Sequence, residues 1–105
     1  MDYLNHLNGF YKKAELDKNV TPTQISFYLA LFRFWQRISF SNPVSIERGE
    51  LMAASKIHSK ATYHKCLKIL HAGGYINYLP TNHPYKTSKV FMFLLFTDST
   101  INSFK

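Results

Sequence analysis

A chain of 105 residues has room for one domain and one core, and 46% hydrophobic with 16% aromatic residues fills that core amply, which excludes a disordered polymer. The lone cysteine, Cys66, excludes a disulfide framework and any Cys-based zinc site, and suits a reducing compartment. The formal net charge of +7 is lopsided: residues 1–50 hold six Lys/Arg against five Asp/Glu, residues 51–105 seven lysines against Asp98 alone.

Leu4, Leu7, Tyr11 and Ala14 recur at spacings of three and four, so residues 2–16 read as an amphipathic helix with those four turned inward. The same stretch mixes Asp2, Lys12, Lys13, Glu15, Asp17 and Lys18 with polar residues, so no secretory signal is expected. Thr21-Pro22-Thr23-Gln24 starts a second helix: Thr21 can cap it, Pro22 suits its first turn, and Gln24 can reach back to complete a capping box. That helix, residues 22–39, is apolar round most of its girth. Ile25, Tyr28, Leu29 and Phe32 line one flank and Phe27, Leu31, Phe34, Trp35 and Ile38 the other, with Ser26, Arg33 and Arg37 as a narrow wet strip. Such a helix is central to the core, or part of it meets another subunit.

Asn42-Pro43 forces a turn before a short strand, Val44–Ile46, and a short helix, Arg48–Ser55, with Leu51 inward. Residues 56–58 make a tight turn, and Ser59 caps the next helix, Lys60–Ala72. Gly73-Gly74 ends it in the left-handed conformation that glycine tolerates. Residues 75–79 read as a strand, 80–88 as a loop and 89–97 as the returning strand. The apolar run 90–96 is far too short to span a bilayer, so a soluble cytoplasmic protein with no membrane partner is expected. The expected fold is one domain over residues 1–105, mainly α with a small β-hairpin wing. Its order of helix, helix, strand, helix, helix, hairpin is that of the winged helix-turn-helix.

On the 59–72 helix the side chains divide cleanly. Tyr63, Cys66, Leu67 and Leu70 form an apolar stripe; Ala61, Lys65 and Lys68 face the other way, with Lys60 and His64 on the shoulder. A helix that reads duplex DNA needs this division, one face anchored in the core and the other cationic and narrow enough for the major groove. Ser59 and Thr62 stand beside the first-turn N–H groups, which can take a phosphate. Lys56 precedes the helix, and Lys86, Thr87, Ser88 and Lys89 add donors on the wing. No acid occurs between Glu50 and Asp98. A solvated lysine face would share that composition, but the lysines cluster on the two elements this fold uses for contact.

The run SKATYHKCLKILHAGGYINYLPTNHPYKTSKVFMF also resembles the recognition helix and wing of small winged-helix proteins. Its S-x-x-T-Y, L-x-x-L and G-Y-I skeleton is similar to that of many bacterial regulators and of the N-terminal domains of replication initiators. More narrowly it resembles small uncharacterised proteins encoded on bacterial mobile elements. The resemblance spans residues 25–96 and implies DNA contacts at Ser59, Lys60, Thr62, His64, Lys65 and Lys68. It departs at Ile69, where these proteins usually have a polar residue; Ile69 is therefore expected to be partly exposed or to meet a partner.

Other chemistries find little support. His64 and His71 are seven apart, too far to share an ion, and with His58 and His83 they read as surface histidines, so no metal or cofactor is expected. Cys66 lies on the core stripe and reads as a buried small hydrophobe. Glu47 and Glu50 read as a solvated helix start, Gly73-Gly74 as a helix stop, and none of the seven tyrosines has the arginine and histidine cluster of a strand-transfer nucleophile. A non-catalytic, sequence-specific duplex DNA binder is expected, acting in transcription or replication control, with a homodimer through residues 2–40. A protein–protein adaptor on the same scaffold, favoured by the aromatics at 27–40 and 90–96, is the alternative. RNA binding ranks third, since no exposed aromatic platform is evident in the sequence.

Overall fold

The computed structural model describes residues 2–80 and 87–96. Among these it holds four helices, α1 (Tyr3–Glu15), α2 (Pro22–Arg37), α3 (Arg48–Ser55) and α4 (Lys60–Ala72), and three strands, β1 (Val44–Ile46), β2 (Ile76–Leu79) and β3 (Ser88–Met92). The result is a small α+β domain. Its sheet is antiparallel in the order β1-β3-β2, with Val44 and Tyr78 flanking Val90 and Ile76 opposite Met92. Period-two alternation then turns Val44, Ile46, Ile76, Val90 and Met92 inward and Ser45, Lys89 and Phe91 outward. The short strand before α3 thus belongs to the same sheet as the hairpin, which is three-stranded.

α2 is the spine of the core. Phe27, Tyr28, Ala30, Leu31, Phe32, Phe34 and Trp35 are all buried within one copy of the chain, so its surplus of aromatics is used internally. Gln24 Oε1 accepts from the Thr21 N–H at 2.8 Å, the backward arm of the expected capping box. The helix ends at Arg37, two residues short of expectation, because Ser39 and Phe40 adopt φ of 56° and 61° and the Phe40 N–H folds back onto Trp35 O at 2.9 Å. Leu29 and Ile38, expected on the apolar flanks, are exposed.

α1 forms where expected but buries a different stripe: His6, Gly9, Phe10 and Ala14 instead of Leu4, Leu7, Tyr11 and Ala14. Leu4 and Tyr11 are exposed and Leu7 is half-buried. The phase is set by two groups that hydropathy undervalues. His6 is fully satisfied, with Nε2 2.6 Å from the Tyr28 hydroxyl and Nδ1 accepting from the Leu95 N–H at 3.1 Å. Gly9 admits the backbone of the 93–96 segment, since a Cβ there would lie 1.5 Å from Leu95 O. Phe10 completes the seam by stacking on Tyr28 at 3.9 Å between ring centroids.

This docking also explains why the returning strand, expected over 89–97, stops at Met92. The Asn42 amide brackets Met92, accepting from its N–H at 2.8 Å and donating to its carbonyl at 3.0 Å, in place of a further ladder pair. Beyond it the chain leaves the sheet for α1; Thr97 lies outside the described residues. The preceding strand starts at Ile76, one residue late, because the Tyr75 ring is buried against Phe10 and Tyr28.

Candidate nucleic-acid interface

The α3–α4 corner is fixed from both sides. The Glu47 carboxylate caps α3, accepting from the Gly49 and Glu50 N–H groups at 3.0 and 2.7 Å, and these bonds hold its pKa below the ordinary carboxylate value. α3 ends at Lys56 in the left-handed region, φ 62°, and the Ile57 N–H returns to Met52 O at 2.9 Å while the Ile57 side chain enters the core. Ser26 on α2 donates to Ser55 O at 2.8 Å, tying the end of α3 to the spine. Lys56 is left exposed at the corner, beside the start of α4.

Ser59 caps α4 as expected, its hydroxyl accepting from the Thr62 N–H at 3.3 Å. That N–H is therefore already engaged. The N–H groups of Lys60 and Ala61 remain in the first turn, where helix geometry offers no internal acceptor. Packing of four side chains sets the rotation of the helix. Tyr63, Cys66, Leu67 and Leu70 are buried, Tyr63 meets Phe27 edge-on at 5.5 Å, and Gln24 Nε2 contacts Cys66 Sγ at 3.7 Å. Burial raises the pKa of the Cys66 thiol, which is a core group and no nucleophile. The opposite face presents Lys60, Ala61, His64, Lys65 and Lys68, all exposed, with Thr62 and Ile69 half-buried at its margins.

Of the expected wing residues, Thr87 and Lys89 are exposed at the start of β3, and Lys89 Nζ donates to Ser45 Oγ at 2.8 Å. Ser88, expected in the loop, is the first residue of β3; it is half-buried, its hydroxyl 3.4 Å from that of Tyr78. Lys86 and His83 lie outside the described residues. His71 is more than a surface histidine: its Nδ1 accepts from the Tyr78 N–H at 3.0 Å and so joins the end of α4 to β2.

No group of three or more His, Cys, Asp or Glu that could hold a metal ion occurs among the described residues, and no described helix is long and apolar enough to cross a membrane. A shallow groove of about 470 Å³ runs beside α2, lined by Ser26, Leu29, Ala30, Arg33, Arg37 and Ala54. Its only ionisable side chains are the two arginines, with no carboxylate, imidazole or thiol for acid–base or nucleophilic work. Two features escaped the sequence reading. His6 looked polar on a helix whose pattern suggested another face. Phe91 and Phe93 read only as part of the aromatic surplus at 90–96, and both are exposed; alternation through Lys89-Val90-Phe91-Met92-Phe93 was the available signal. No protein-family profile, curated protein or solved structure matches the chain.

Proposed function

We propose that the protein is a winged helix-turn-helix module that binds duplex DNA without catalysis, with α4 in the major groove and the β2–β3 wing on the adjacent backbone. The supporting observation is the division of α4. Four side chains lock its inner face into the core, while Lys60, His64, Lys65 and Lys68 stand free of the core around the small Ala61. A helix held this rigidly can carry cations into a groove at little further ordering cost. His64 and Lys65 are assigned to base edges. Lys56, Lys60, Lys68, Lys86 and Lys89, with Ser59, Thr62, Thr87 and Ser88, are assigned to phosphates. The role is regulation of transcription or replication in the cytoplasm, in keeping with the resemblance to mobile-element proteins. Two copies pairing through residues 2–40 would set two α4 helices about 34 Å apart on a palindromic site.

The adaptor alternative leans on the aromatics at 27–40, those of α2 being consumed by the protein's own core, and on those at 90–96, of which Phe91, Phe93 and Phe96 are exposed. Titration of a labelled duplex from the gene's upstream region against a random duplex, at several salt concentrations, tests the proposal. Steep salt dependence with preference for one sequence is the expected result. Absence of binding at low salt would refute it and favour the adaptor.

A further inference from the structure

The outer face of the sheet carries a second constellation, on elements other than α4. Alternation along β3 sends Val90 and Met92 inward and turns Lys89 and Phe91 out. Phe93 extends the ladder by one loose bond, its N–H 3.5 Å from Tyr75 O, and its ring lies 5.6 Å from that of Phe91, tilted by 54°. The two rings are 39% and 38% exposed in a protein that buries Phe10, Phe27, Phe32, Phe34 and Trp35. Register places Asn77 opposite Phe91, and Ser45 and Leu79 opposite Lys89. None of the three strands contains a carboxylate.

We propose that this face is a stacking platform for single-stranded DNA, with Phe91 and Phe93 each receiving a base and Lys89 pairing with the phosphate beside them. Residues two apart on a strand are about 6.6 Å apart, room for two splayed bases where a duplex could not present its stacked ones. Every base has a π-face, so the platform needs rings and a cation and little hydrogen-bond readout. Both are here, on strands without a carboxylate, and the charge complements a phosphate chain better than it does a protein of average composition. A deoxy strand is taken as the occupant because stacking on two rings beside one cation makes no use of a 2′-hydroxyl. The platform rests on Phe91 and Phe93 and the duplex reading on α4, with Lys89 common to both.

Fluorescence anisotropy with a thymidine oligonucleotide of roughly 12 nucleotides, its uridine counterpart and a hairpin duplex separates the two sites. Phe91→Ala and Phe93→Ala should each weaken thymidine-strand binding about tenfold and leave duplex binding unchanged. Lys65→Ala and Lys68→Ala should do the reverse. Phe91→Trp should retain binding, and the emission of its new indole should be quenched when the thymidine strand is added. That readout decides the matter even if an alanine variant is destabilised. The platform is refuted if wild-type protein ignores the thymidine strand at low salt, if both alanine variants bind it normally, or if the indole stays unquenched. Equal or tighter binding of the uridine strand would overturn the assignment to DNA.

Discussion

His6 is a titratable group held neutral inside a core, and its surroundings say how it must behave. Nδ1 accepts from the Leu95 N–H, so the remaining ring proton sits on Nε2 and is donated to the Tyr28 hydroxyl. Burial lowers its pKa from 6.5 to about 4. The unfolded chain therefore takes up the proton first as pH falls. Stability should be complete above pH 6.5 and decline through the window down to about 4, by about 3 kcal/mol in all. Urea melts at several pH values should show that slope in the wild type and a flatter one in His6→Gln; parallel curves would mean that His6 does not carry it. On α4 the corresponding test is of phase. Leu67→Ala and Leu70→Ala should each destabilise by about 2–5 kcal/mol, as buried truncations do. Lys65→Ala, at an exposed position, should change stability by less than about 0.5 kcal/mol. A Lys65 variant as damaging as Leu67→Ala would rotate the helix and remove the DNA face.

At the scale of elements, Gly9 makes the sharpest prediction. Alanine in a helix interior ordinarily gains up to about 1 kcal/mol over glycine. Here its Cβ would meet Leu95 O at 1.5 Å, so Gly9→Ala should instead destabilise by about 1–3 kcal/mol and loosen the 93–96 segment from α1. Thermal melts that show a gain would contradict the docking. The same contact marks where the sequence stops being legible. α2, β1, α3, the Ser59 cap and α4 were readable because their signals are local: Pro22 at a first turn, Ser59 before a clean apolar stripe, glycines at a helix end. The phase of α1 and the end of β3 were not, because each depends on a partner some ninety residues away, Leu95 on His6 and Gly9. The lysine face of α4 followed from period alone. The outward Phe91 and Phe93 were less plain, since in that apolar strand run Lys89 alone marks which face is open.

For the whole molecule, the burial of α2 changes what pairing two copies requires. With its aromatics internal, the apolar surface left on the N-terminal segments is chiefly the rim of α1 and its end, where Leu4 and Leu16 are 75% and 86% exposed and Tyr3 and Tyr11 about half that, joined by exposed Leu29 and Ile38. A two-fold dimer across this rim should sediment as such at tens of micromolar; a clean monomer would rule it out while leaving α4 untouched. Under the two proposals the basic half of the chain would have two jobs, the duplex on α4 and its wing, and the single strand on the sheet. Loss of a wing lysine, Lys86 or Lys89, should weaken duplex binding about equally on every sequence, whereas loss of His64 or Lys65 should reduce preference for the true site by about 1–3 kcal/mol per lost base contact. The most direct test of duplex recognition is the salt dependence of affinity for a specific duplex, measured for wild type, Lys65→Ala, Lys68→Ala and Lys89→Ala. Each phosphate-contacting lysine removed should flatten the slope of log affinity against log salt by roughly 0.9. A steep wild-type slope flattened by Lys68→Ala and Lys89→Ala, with specificity falling in Lys65→Ala, is the predicted result. A slope that none of these substitutions alters would contradict it.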